Sequence, residues 1–97
     1  MISELLAAGK KNARTGKQLA EFLGVNIRDI TEQIERERRA GQPICASMAE
    51  PHGYYLAENA DELDSYCKMI KGRAIELFKT RQALIRTLKR IQEQQGA

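Results

Sequence analysis

The chain has 97 residues, 42% of them apolar, and a formal net charge of +3. That length holds one small core and an appendage, which excludes two ordinary domains, and the apolar share excludes a disordered tail. The charge permits a nucleic-acid partner but is too small to indicate one by itself.

Ile2 to Gly9 reads as a short helical run, with Ile2, Leu5 and Leu6 on one face and Gly9 as its stop. Lys10, Lys11, Asn12 and Arg14 form a basic connector. Thr15 then suits a helix N-cap, and Gln18 stands where its side chain completes a capping box. Leu19, Ala20, Phe22 and Leu23 give that helix an apolar face, and Gly24 ends it. Asn26 is the next N-cap, with Asp29 placed to favour the positive helix end. Ile30 and Ile34 stack on one side of the second helix. Gly41 suits a left-handed C-terminal cap, and Pro43 blocks continuation.

Beyond Pro43 the period becomes two: Ile44, Ala46 and Met48 alternate with Cys45 and Ser47. Glu50 to Gly53 reads as a turn, and Tyr54, Tyr55 and Leu56 as a return strand, with one tyrosine inward and one outward. The segment from Ile44 to Ala57 is therefore predicted to be a β-hairpin. Asp61, Glu62 and Asp64 open a last helix, which runs to Gln95 with Gly72 as its only poor helix former.

The turn between the two middle helices is the most informative feature. A steep crossing needs a small residue where the backbones approach, a turn residue tolerant of positive φ, and an aliphatic anchor facing back. Ala20, Gly24 and Ile30 supply these in order, and Leu19, Leu23, Val25 and Ile34 complete the inner surface.

The run TGKQLAEFLGVNIRDITEQIERERRAGQPI resembles the winged-helix domain of the biotin operon repressor type. HGYYL resembles that family's return strand, so the likeness spans Thr15 to Leu56. It implies a mainly α fold: a winged helix of three helices plus a two-stranded β-hairpin wing over residues 1–57. One long C-terminal helix follows over residues 58–97. It also implies binding of double-stranded DNA, usually for transcriptional control. Glu37 departs from the pattern, standing where the family usually has an apolar residue.

With Ile30 and Ile34 inward, Arg28, Thr31, Glu32, Glu35, Arg36 and Arg39 face outward. Arg28, at the helix start, is placed to read guanine N7 and O6, and Asn26 and Thr31 to bond a base edge or phosphate. Lys17 could join the backbone N–H groups of the preceding helix in holding a phosphate, with Lys10, Lys11 and Arg14 nearby. The alternative is a solvated face with Arg28 and Glu32 paired at i, i+4. The helix from Asn26 to Ala40 carries four acids and four arginines, and the segment Ser47 to Gly53 has Glu50 and no lysine or arginine. That balance weakens the electrostatic attraction on which DNA affinity rests.

In the last helix Leu63, Ile70, Leu77, Leu84 and Ile91 recur every seven residues. Ala60, Cys67, Ala74, Arg81 and Leu88 stand three positions before each of them in turn. This heptad seam, flanked by Phe78 and Ile85, points to a homodimer through the C-terminal helix, with helix direction left open. The alternative is a helix folded back on its own domain. The stretch Tyr66 to Gln92 carries Lys68, Lys71, Arg73, Lys79, Arg81, Arg86, Lys89 and Arg90 against Glu76 alone, a reserve of backbone affinity or simply a solvating face.

Cys45 and Cys67, 22 residues apart and with His52 the only histidine, build no zinc site, and both read as buried, reduced thiols. No metal, cofactor or small-molecule ligand is expected, and no catalytic constellation is visible, so the chain reads as a non-enzyme. It has no signal-peptide pattern and no membrane span, which places it in the cytoplasm. The competing function is an oligomeric interaction or assembly adaptor of phage or mobile-element type, with the winged helix as scaffold.

Overall fold

The computed structural model describes residues 1–96 of the chain. It is mainly helical: α1 spans Gly16–Leu23, α2 Ile27–Arg39 and α3 Ala60–Gly96. The strands β1, Ile44–Ser47, and β2, Gly53–Leu56, pair antiparallel with Ile44 opposite Leu56 and Cys45 opposite Tyr55. The chain divides into two compact units, Met1–Tyr66 and Cys67–Ala97.

The first unit is built around Ile2, Leu6, Leu19, Ala20, Ile30, Ile34 and Ile44, with Leu5, Tyr54 and Leu56 packed against them. Alternation along the hairpin explains the choice. Ile44, Tyr54 and Leu56 share the pleat face that meets the helices. Cys45 and Tyr55 lie on the other face and are also buried, because Glu62 and Tyr66, in the opening turns of α3, lie close to Tyr55. Burial raises the Tyr55 phenol pKa, and Cys45, Glu62 and Tyr66 add to the rise. Both tyrosines thus find cover on opposite faces.

The N-terminal segment departs from the expected helix. Only Ile2–Leu5 turns, as a 3₁₀ helix, and Leu6 is already extended. A second 3₁₀ turn covers Lys10–Asn12. The reason lies in the outer edge of β2, whose backbone groups need partners. Leu56 N–H donates to Ala7 O at 3.0 Å, and Gly9 N–H donates to Leu56 O at 3.0 Å. Arg14 and Tyr54 exchange both backbone bonds, at 2.9 and 2.7 Å. A continuous helix could not supply those groups.

Four residues expected to be covered, Phe22, Leu23, Val25 and Cys67, are exposed, and the expected strand stops short of Met48. Phe22 is 69% exposed, and Leu23 and Val25 lie open on the rim of a groove shared with Met1, Ile2 and Leu5, because Leu19 and Ala20 alone fill the inward face of the short α1. Met48 falls beyond the end of β1 and is exposed. Cys45 is buried as expected, but Cys67 is exposed, since it begins a bare stretch of α3. Among the described residues no helix is long and apolar enough to cross a membrane.

Candidate nucleic-acid interface

Local capping fixes the two helices that would carry the interface. Thr15 Oγ1 accepts the Gln18 N–H at 3.0 Å, and Gln18 Oε1 accepts the Thr15 N–H at 2.9 Å. Gly24, at φ +69°, closes α1 in a left-handed conformation that costs glycine nothing. Asn26 Oδ1 accepts the Asp29 N–H at 2.8 Å and starts α2. At its other end Gln42 N–H donates to Glu37 O and Gly41 N–H to Arg38 O, a Schellman closure.

Because α2 turns Ile30 and Ile34 into the core, its opposite side is bare. Arg28, Thr31, Glu32, Glu35, Arg36 and Arg39 are all exposed there, and Lys17 is exposed on α1. Their local engagements differ. Arg28 Nε bonds Glu32 Oε1 at 3.1 Å, the pairing that spacing alone suggested. Such an exposed pair is worth only about 0.3–0.5 kcal/mol, whereas a bidentate arginine–guanine contact is worth roughly 1–3, so the pair does not block base contact. Thr31 donates its hydroxyl to Ile27 O at 3.1 Å, which leaves its oxygen to accept. Asn26 has its amide oxygen committed to the cap and keeps its NH2 donors. Arg36 bonds Gln33 Oε1 at 3.1 Å.

At the start of α1, Lys11, Arg14 and Gln18 line a shallow depression with Asn12, Ala13 and Phe22. The Arg14–Tyr54 backbone pair holds this basic edge beside the hairpin. Gly53 makes that approach possible: a Cβ there would overlap the Arg14 carbonyl group and stand 2.7 Å from Thr15 N. The hairpin tip carries no lysine or arginine, and His52 Nδ1 lies 2.9 Å from Glu50 Oε1.

Two positions on α2 escape a sequence reading. Glu37 is only 3% exposed, and its carboxylate accepts backbone N–H bonds from Ile2 at 2.7 Å and Ser3 at 2.8 Å, plus one from Gln33 Nε2 at 2.9 Å. Burial pushes its pKa up, but the bonds from Ser3, Gln33 and Ile2 outweigh that and hold it below the ordinary carboxylate value. The spacing 30, 34, 37 was the available signal, since it puts Glu37 on the inward stripe. Arg38 also turns inward, donating to Ile44 O at 2.9 Å, Tyr66 Oη at 2.8 Å and Glu35 Oε1 at 3.1 Å, with its guanidinium 5.2 Å from the Tyr66 ring centre. With one acid and one base withdrawn, the exposed charges of α2 are Arg28, Arg36 and Arg39 against Asp29, Glu32 and Glu35, still a balanced set.

In the second unit, α3 presents Ile70, Leu77, Leu84, Leu88 and Ile91 to solvent, with Leu77 73% and Leu84 64% exposed. Cys67 and Ala74 on the same seam are exposed too, while Leu63 belongs to the first unit and is half-buried. Among the described residues no group of three His, Cys, Asp or Glu side chains could hold a metal ion. No protein-family model matches the chain, and no solved structure matches it.

Proposed function

We propose that the chain is a winged helix-turn-helix DNA-binding protein, a homodimeric transcriptional regulator that reads the major groove with α2. The observation that carries this reading is the Gly24-closed turn between two capped helices, which leaves one whole side of α2 uncovered next to a β-hairpin. Arg28, in the first turn of α2, reads a base edge; Asn26, Thr31 and Arg36 contact bases or phosphates; Glu32 releases Arg28 on binding. Lys17 and the basic edge at Lys11 and Arg14 fix the register on phosphates. The balanced charge of α2 makes a single copy a weak binder, so pairing through α3 and the lysines and arginines of that helix supply affinity.

Fluorescence anisotropy of a random-sequence duplex, titrated with the full chain at two salt concentrations, tests the reading. Binding at low salt that weakens steeply with added salt is the expected result. No binding even at low salt would contradict it.

One observation favours a second reading, an oligomeric assembly adaptor of the kind found in phages and mobile elements. Phe22, Leu23, Val25 and Ile27 are all exposed around the α1–α2 turn. An apolar cluster of that kind suits a protein partner better than a phosphate backbone. The failure of DNA binding in the titration would favour it.

A further inference from the structure

We propose that the seam of α3 pairs with a second copy of this chain in antiparallel direction, in the register that sets Cys67 against Ile91 and Ala74 against Leu84. The inference rests on the dimer reading above and adds its geometry. One row of the seam is made of small or charged side chains over its first three heptads beyond Tyr66: Cys67, Ala74 and Arg81. The other row, Ile70, Leu77, Leu84 and Ile91, is large throughout. All but Arg81 are exposed small or apolar side chains on one face of a bare helix.

Helix direction decides what each layer contains. In a parallel pair every residue meets its own copy. Ala74 would meet Ala74 and Leu77 would meet Leu77 one turn later, so successive layers would demand different distances between the helix axes. Arg81 would meet Arg81, two like charges facing each other in an apolar seam. In the antiparallel register each small residue meets a large one: Cys67 with Ile91, Ala74 with Leu84. Leu88 meets Ile70. The layers then hold more even volumes, as close packing requires. Arg81 meets Leu77 of the second copy, next to Phe78, whose ring offers a face for a guanidinium.

The flanking positions agree. The same register brings Phe78 beside its own copy near the centre of the pair and leaves Lys71 near Ile85, while Lys79 and Arg90, level with Lys79 and Lys68 of the second copy, stand off the seam.

Cysteine chemistry reads out the direction. Cys67 is exposed and in no disulfide within the chain, and Cys45 is buried. In the antiparallel pair the two Cys67 thiols are separated by the helical rise from 67 to 91, about 36 Å, far beyond disulfide reach. In the parallel pair they share a layer.

The experiment is mild oxidation of the full-length wild type and of Ile91→Cys, with sedimentation of both under reducing conditions and circular dichroism to confirm that the variant keeps its helix. Expected are a dimer in sedimentation and no disulfide-linked dimer for wild type. Ile91→Cys should give a dimer linked between Cys67 of one copy and the introduced thiol of the other, abolished by adding Cys67→Ser. A Cys67–Cys67 linked dimer in wild type would overturn the direction while leaving dimerisation intact. A sedimenting dimer whose folded Ile91→Cys form never cross-links would overturn the register. A monomer at high concentration would overturn the dimer reading itself.

Discussion

The Glu37 carboxylate, in the last turns of α2, bonds the backbone N–H groups of Ile2 and Ser3 and so clamps the N-terminal 3₁₀ turn onto the core. Those two amides start a helix, where the first N–H groups have no internal partner. An apolar residue at position 37 would leave them buried and unsatisfied. The acid is therefore the structural answer to a 3₁₀ start in place of a longer helix.

Glu37→Gln should destabilise the fold at neutral pH by about 1–3 kcal/mol, because an amide NH2 would then face a backbone donor. The pH dependence follows from the lowered pKa. Stability from Glu37 is complete above the unfolded-state value, about 4.3, and is lost as pH falls through the lower folded value. Urea unfolding at pH 7 and near pH 3 should show a wild type that loses stability on acidification, and a variant whose deficit shrinks there.

Gly53 sits at φ +124° with its Cα against the Arg14 backbone. Gly53→Ala must push β2 away from that segment, and should cost about 2–4 kcal/mol from strain and overlap together. Gly72→Ala is the contrasting change: open space surrounds it in the helix, and it should add up to about 1 kcal/mol of helix stability. Thermal melts of the two variants should move in opposite directions.

Arg38 ties α2 to β1 and to Tyr66. Arg38→Ala should lower stability by about 2 kcal/mol, through a lost charged hydrogen bond to Ile44 O and lost stacking on Tyr66. Its side chain points away from the outer face of α2, so DNA affinity per folded molecule should not change. Denaturation and anisotropy on the same sample check both halves.

Arg28→Ala should do the reverse. Its ion pair is exposed and contributes little, so the melting temperature should stay close to that of wild type. Sequence preference should relax, with roughly 1–3 kcal/mol of discrimination lost at one base pair. Lys17→Ala should weaken every sequence alike and lower the salt slope by about 1. Competition binding over a set of duplexes separates the two patterns.

Capping and turn chemistry made much of the fold legible. Thr15 with Gln18, Asn26 with Asp29, and Gly24 each act through neighbours within a few residues, so the chain itself announces them. The hairpin followed from alternation for the same reason. The N-terminal segment did not, because its conformation is set by β2, more than forty residues away, and local pattern cannot register a distant edge that needs partners. Phe22 and Leu23 misled because periodicity marks a face without saying how far the neighbouring element extends. On the candidate interface, the outward set from Arg28 to Arg36 was legible from helix geometry. The inward turn of Arg38 was not, since a flexible charged side chain goes where a carbonyl and two tyrosines happen to meet.

Whether DNA lies along α2 and the start of α1 can be read directly by amide chemical-shift mapping of the full chain with a short random duplex at low salt. Perturbations should concentrate at Lys17, Asn26, Arg28, Thr31 and Arg36, with the Glu37 clamp at Ile2 and Ser3 unmoved. Perturbations confined to α3, or centred on the apolar rim at Leu23 and Val25 with α2's outer face silent, would contradict DNA binding by that face.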